Sequence, residues 1–178
     1  MKINNYIHIL LLAIPLLTGC RKKEEGFEMG YRRQFDIPVG LDIRASHNYS
    51  FLNVPSDTAV FFQINNKKAS DIKRILPRSM SLQSIFSSAN SYDFISQAEV
   101  WISDRSRPKL DSQIIFFRDR IPANSDSRID LVPNDVDLRP FLLEGNRFTV
   151  RINIVLRDYP PRTIETDCSF SFFAVTNE

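Results

Sequence analysis

The sequence predicts an all-β protein, an antiparallel β-sandwich of about eight strands with one or two short connector helices. Short segments with apolar residues at every second position recur along the chain, and Pro, Asn, Asp and Gly separate them. After the N-terminal apolar run, no segment keeps a helical apolar period for more than about two turns. A closed barrel with the same number of strands fits the pattern equally well, so the sequence leaves sandwich and barrel open.

Turn residues bound the expected strands, and most strands have one apolar and one polar face. The clearest is 147–156, where Phe148, Val150 and Ile152 point to one side and Arg151 to the other. A loop with two prolines follows it, and we expect this strand to pair antiparallel with 163–175. The expected strands in chain order are 31–37, 48–54, 58–64, 79–86, 97–103, 112–117, 128–132, 147–156 and 163–175.

Two segments are less regular than these strands. The run 58–64 is almost continuously apolar, which predicts a strand that is buried on both faces. A short helix is expected over 70–76, because Ser70 and Asp71 suit a helix N-terminus and the aliphatic residues that follow recur at helical spacing. A second helical pattern covers 135–143 and is interrupted by a proline.

The N-terminus has a charged start, an apolar run and then Leu17-Thr18-Gly19-Cys20. A run of about 11 residues is too short to span a bilayer and is typical of a secretory signal. The last four residues resemble the lipobox of bacterial lipoproteins, in which the cysteine sulfur is diacylated and the signal is cut just before it. The resemblance implies that Cys20 is lipidated and begins the mature chain. An ordinary signal peptide or an uncleaved anchor is the alternative.

We therefore expect a signal peptide over 1–19, an acylated N-terminus and flexible tether over 20–30, and a β-sandwich domain over 31–178. Arg21 stands where enterobacterial lipoproteins of the inner membrane have Asp, so the resemblance implies an outer-membrane anchor and leaves open which side the domain faces. Further stretches are similar to small outer-membrane lipoproteins of Bacteroidota, a likeness that implies no activity; they are 35–41, 72–77 and 159–166.

Charge and residue usage argue against several classes of function. The chain has 23 basic and 21 acidic side chains, so there is no basic excess to hold nucleic acid. Once the signal is removed, His47 is the single histidine and Cys168 the single cysteine without lipid. A nucleophile–histidine pair would have to use His47, which lies in no recognisable motif. A zinc site would have at most His47, Cys168 and carboxylates, with no paired ligand spacing. We expect no catalytic residue, no metal and no cofactor, and a buried Cys168 that packs as a small hydrophobe.

The acidic residues Asp126, Asp130, Asp135 and Asp137 cluster around a proline. Two carboxylates across a cleft would suit glycoside hydrolysis, and several oxygens together would suit Ca²⁺. The alternative is that they act as turn residues and helix caps.

Trp101 and Tyr92 are the candidate ligand contacts, because exposed aromatic rings can stack on sugars. Trp101 falls on the strand face opposite Ala98, Val100 and Ile102, which makes partial exposure possible. The alternative is a core tryptophan that bridges two sheets.

The expected function is non-enzymatic: a lipid-anchored outer-membrane protein that binds or braces another component of the cell envelope. A glycan-binding β-sandwich lipoprotein is the alternative. A protein partner predicts an exposed apolar patch or an unpaired edge strand. Glycan binding predicts Trp101 or Tyr92 exposed in a concave surface, and an enzyme predicts two acids that converge in a pocket or a carboxylate that faces His47.

Overall fold

The computed structural model describes residues 25–86, 91–104, 106–107 and 110–177. The expected signal peptide, Cys20 and the first residues of the expected tether lie outside them. The elements in chain order are β1 (Gly26–Ile37), β2 (Ser46–Pro55), α1 (Thr58–Ile64), a 3₁₀ turn (Ala69–Asp71), β3 (Ile72–Ser84), β4 (Ile95–Ser103), β5 (Gln113–Arg118), β6 (Arg128–Pro133), α2 (Arg139–Leu142), β7 (Arg147–Leu156) and β8 (Ile164–Thr176).

The eight strands form one continuous antiparallel sheet that folds into two four-stranded halves, which we call the first and the second sheet. The first sheet has the order β1-β8-β3-β6 and the second the order β2-β7-β4-β5. A short β5–β6 pairing at Phe116 and Phe117 joins the two sheets along one side. Strands β1 and β2 end the strand order, so each has one edge without a partner strand among the described residues. The expectation of an antiparallel sandwich of about eight strands is confirmed.

Pairing follows a nested pattern, in which β1 pairs with β8, β2 with β7, β3 with β6 and β4 with β5. Two four-stranded sheets wound in this way are the arrangement of a jelly roll. The pairing of β1 with β8 is long and regular. It stays in register from Gly26 opposite Val175 to Ile37 opposite Ile164 without a bulge.

Aromatic rings from both sheets fill the space between them. Phe172 of β8 contacts Phe116 of β5 and Phe148 of β7, with ring centroids 6.4 and 6.1 Å apart. Tyr31 of β1 stacks on Phe170 of β8 at 5.3 Å and meets Phe148 edge-on at 5.5 Å. The Tyr31 hydroxyl donates to the Ser56 carbonyl oxygen at 2.6 Å, so its polar atom is satisfied inside the core.

The segment 58–64, expected as a buried strand, is helix α1. Only Phe62 of this helix is buried, whereas Val60 and Ile64 are 54% and 70% exposed. The apolar residues of 58–64 are therefore not buried on both sides of the segment. A short apolar run has no periodicity that separates a strand from a helix, which is why the prediction was wrong.

The helix expected over 70–76 is also wrong. Ser70 and Asp71 do form a helical start, and the Asp71 carboxylate accepts a hydrogen bond from the Lys68 amide at 2.8 Å, but the helix is only the 3₁₀ turn. Strand β3 begins at Ile72, and its register shifts between Ile72 and Arg74. The bulge turns Ile72 and Ile75 to the same buried side, and this produces the three-residue spacing of a helix.

The strands 147–156 and 163–175 are present as β7 and β8, but they do not pair. Strand β7 lies between β2 and β4, whereas β8 lies between β1 and β3. The loop between them crosses from one sheet to the other.

Strand β1 begins five positions earlier than the expected domain boundary at residue 31. Phe27 and Met29, assigned to the tether by the sequence, are buried in the core. The domain thus includes residues 26–30, which leaves a shorter segment between Cys20 and the fold.

Phe172→Ala should lower the free energy of unfolding by about 3–5 kcal/mol, because the ring is fully buried between the sheets and its removal leaves a cavity. The matched control is Phe173→Ala on the outer face of the same strand, where the ring contacts the Arg78 guanidinium; the expected loss is about 1 kcal/mol. Chemical denaturation measures both variants. Equal losses would contradict a core centred on Phe172.

Candidate functional site

Trp101 lies on the outer face of the second sheet and is partly exposed. Its indole N–H donates to Glu99 at 3.3 Å, and the Arg151 guanidinium lies 5.6 Å from the ring centroid. The tryptophan therefore does not bridge the two sheets. Because Arg151 covers part of the ring, stacking a sugar there would compete with an existing cation–π contact.

Tyr92, the second candidate ligand contact, is completely buried. Its hydroxyl donates to the Thr166 hydroxyl at 3.0 Å, and burial raises its pKa. Tyr92 and Trp101 therefore do not form a joint surface platform, and Tyr92 serves the core.

The acidic residues that cluster in the sequence do not converge on one site, and three of them pair with different arginines. Asp130 pairs with Arg128 at 2.7 Å and Asp135 with Arg74 at 2.8 Å. Asp137 accepts hydrogen bonds from the Ile75 and Arg139 amides and pairs with the Arg139 side chain at 2.7 Å. Burial alone would raise the pKa of Asp137, but the hydrogen bonds outweigh it and lower the pKa.

His47 and Cys168, the other two side chains that could take part in catalysis or metal binding, also have structural roles. A ring nitrogen of His47 lies 2.9 Å from the Asp42 carbonyl oxygen, which is a loop contact rather than a contact with a carboxylate. Cys168 is buried, and burial together with the neighbouring Asp167 raises its pKa to about 12. Among the described residues, no group of three or more His, Cys, Asp or Glu side chains is placed to hold a metal ion.

The outer face of the first sheet carries an open depression of about 700 Å³, which we call the trough. Its floor consists of small residues in matching register on neighbouring strands. Gly30, Ser171 and Ser79 form one row across β1, β8 and β3, and Ser169 and Ser81 lie side by side in the next row. A Cβ atom at Gly30 would meet no atom within 4 Å, so this glycine leaves the trough open.

Charged side chains line the sides of the trough. Arg32 pairs with Asp167 at 2.6 Å, and the Arg128–Asp130 pair lies on the side formed by β6. Ser81 lines the floor, is only 8% exposed and makes no side-chain hydrogen bond to any other described residue. A hydroxyl that borders the trough can hydrogen-bond a polar ligand that enters it.

Exposed apolar side chains project from the loops that follow β1, β3 and β7, all at one end of the sandwich. This loop end carries Val39, Ile85, Phe86 and Tyr159, which are 59%, 41%, 62% and 58% exposed. The three loops lie together because Ile37 pairs with Ile164 and the Ile85 amide donates to the Glu165 carbonyl oxygen at 3.0 Å. Large exposed apolar side chains on neighbouring loops are typical of surfaces that bind other proteins.

The trough is not apparent from the sequence alone. Ser79, Ser81, Ser169 and Ser171 are visible as the polar positions of two alternating strands, but only the register between β3 and β8 makes them neighbours. The alternation of serines along each strand is a signal for such a surface only when the strand order is known.

No protein-family model and no curated protein matches the chain. Among solved structures, the chain is similar to one from Desmodium yellow mottle tymovirus, with 9% identity, 86% of this chain and 90% of that chain covered, and a TM-score of 0.29. A structure from turnip yellow mosaic virus matches with 9% identity over 86% of this chain and 83% of that chain, at a TM-score of 0.27. Likeness at this level carries no argument about function.

Cys168 should be inert toward thiol reagents in the folded protein. With a pKa of about 12 and a buried sulfur, almost no accessible thiolate exists near pH 8. In a Cys20→Ser variant, which leaves Cys168 as the single thiol, we expect labelling to be at least about a hundredfold slower in buffer than in denaturant. Comparable rates would show that the strand face is accessible and would reopen a role for this cysteine as a nucleophile.

Proposed function

We propose that this protein is a lipid-anchored, non-enzymatic binding protein of the outer membrane, held by acyl chains on Cys20, that docks a protein component of the cell envelope. The lipobox supports the anchor. The observation that supports docking is the loop end, where Val39, Ile85, Phe86 and Tyr159 expose apolar area on adjoining loops. Strand β1 adds an edge of 12 residues that has no partner strand among the described residues.

The loop end suits this role by its position as well as its composition. Strand β1 leads from Gly26, near the expected anchor, to Ile37 beside the loop end. A strand of this length spans about 40 Å. A partner on the loop end would therefore meet the domain at the end opposite its attachment.

Phe86→Asp and Tyr159→Asp should each reduce partner recovery at least about tenfold, since a charge at the centre of an apolar contact costs more than 1.4 kcal/mol. The matched control is Val132→Asp on β6, an equally apolar side chain that is 50% exposed and lies away from the loops. The measurement is affinity capture from detergent-solubilised native envelopes with the acylated protein, followed by mass spectrometry.

Crosslinking tests whether the captured partner contacts the loop end itself. A photo-crosslinking side chain at position 86 should join the captured partner, and one at position 132 should not. If all three variants capture the same proteins in the same amounts, docking at the loop end is wrong.

The trough favours a second candidate function, the binding of a glycan. Hydroxyl groups on the floor and charged pairs on the sides offer donors and acceptors that match a polyhydroxylated ligand. The trough, rather than Trp101 with Tyr92, is the surface that supports this alternative.

Gly30→Trp should abolish retention of any glycan that the trough holds. Residue 30 has an ordinary strand conformation and open space at its Cβ position, so an indole should fill the trough without disturbing the fold. The comparison variant is Trp101→Ala on the other sheet, and the measurement is retention on a glycan array. Loss with Trp101→Ala and retention with Gly30→Trp would place a glycan on the Trp101 face. No retention by the unmodified protein would remove the glycan candidate.

A further inference from the structure

The first and the last described residues, Glu25 and Asn177, lie at the end of the sandwich opposite the loop end. Glu25 is also the described residue nearest in sequence to the expected anchor at Cys20. The Glu25 carbonyl oxygen accepts a hydrogen bond from the Thr176 amide at 2.9 Å, and the Asn177 amide donates to the Asp71 carbonyl oxygen at 2.8 Å. Phe27 meets Phe62 of α1 edge-on, with ring centroids 5.9 Å apart. Helix α1, the 3₁₀ turn and both ends of the described fold therefore form one surface, which we call the anchor end.

The chain length places this surface close to the bilayer. Five peptide units separate Cys20 from Glu25, and a fully extended chain of that length spans at most about 18 Å. If Cys20 carries the acyl chains, Glu25 cannot lie farther than this from the lipid headgroups. The anchor end is then the part of the domain nearest to the membrane.

The anchor end also exposes apolar side chains that its own core leaves uncovered. Val60 and Ile64 lie one helical turn apart on α1 and are 54% and 70% exposed. Ile64 has the largest exposed fraction among the large apolar side chains whose exposure is described. These residues suit the boundary between headgroups and acyl chains, where partial burial of an aliphatic side chain is favourable.

Charge contributes less than apolar contact at this surface. Lys68 and Lys73 are exposed there, but so are Glu25 and Asp57, so the anchor end has no marked excess of either sign. The lysine side chains can extend toward lipid phosphates while the apolar residues enter the interface.

We propose that α1 rests on the membrane surface with Val60 and Ile64 inserted among the lipid headgroups, so that the domain stands upright and presents its loop end away from the bilayer. The inference rests on the proposed acylation of Cys20. The lipid provides the affinity, and the helix sets the orientation. Without this contact the short link to Cys20 would keep the domain near the bilayer but would not fix which side faces it.

The test uses the acylated protein on vesicles of phosphatidylethanolamine and phosphatidylglycerol, with an environment-sensitive fluorophore on a single introduced cysteine. The positions are Val60→Cys, Ile64→Cys and, as the matched control at the far end, Phe86→Cys. Cys168 is buried and does not compete for the label. We expect a blue shift at positions 60 and 64, with severalfold stronger quenching by a lipid-borne quencher than at position 86.

Two failures can be told apart by vesicle flotation. A protein that floats with the vesicles but gives the same emission and quenching at positions 64 and 86 would overturn the orientation and leave the anchor standing. A protein that does not float, or floats equally well as Cys20→Ser, would overturn the lipid anchor and the orientation together.

Discussion

The contact of Phe172 with Phe116 and Phe148 is the interaction on which the fold depends. Strand β8 pairs with β1 on one side and β3 on the other, so it holds the first sheet together by backbone hydrogen bonds. Its buried side chains then face the second sheet, where Phe172 contacts rings of β5 and β7. The outward serines of the same strand lie in the trough. One strand thus couples sheet formation, sheet packing and a candidate binding surface through the alternation of side chains along an extended chain.

Local alternation predicted most strands and their buried faces, because the side-chain period of a strand is read directly from the sequence. The limits of β7 were found to the residue, and Cys168, Phe170 and Phe172 face the core as expected. The two wrong elements arise where alternation is broken. A bulge beside Ile72 imitates a helical period, and the run 58–64 is apolar without being buried. Neither error can be detected without knowing what packs on each face.

Strand order was the part that the sequence could not provide. Neighbours in a jelly roll are distant along the chain, and β7 and β8 belong to different sheets although a short loop connects them. The same limitation hid the trough, since Ser79 and Ser171 become neighbours only through the β3–β8 register, which brings their hydroxyls to 2.8 Å. Tyr92 is the opposite case. The sequence predicted that its ring would contact a ligand, but the side chain is buried, and a hydrogen bond to Thr166 satisfies its hydroxyl inside the core.

Strand β1 runs without interruption between two ends of the domain that differ in their surfaces. One end of this strand carries the link toward Cys20 and packs beside α1, and the other ends at loops with exposed apolar side chains. Because β1 and β8 stay in register without a bulge along the whole strand, the two ends are held at a fixed separation. In the function proposed for this protein, such a rigid unit would hold the docking surface at a fixed distance from the lipid, and less conformational entropy would be lost on docking than with an unstructured segment of equal length. The early start of β1, at Gly26 rather than at residue 31, is therefore more than a boundary correction. It shortens the segment between Cys20 and the fold, so the proposed acylation of Cys20 would hold the anchor end near the bilayer. The proposed contact of α1 with the membrane would then fix which side of the domain faces it.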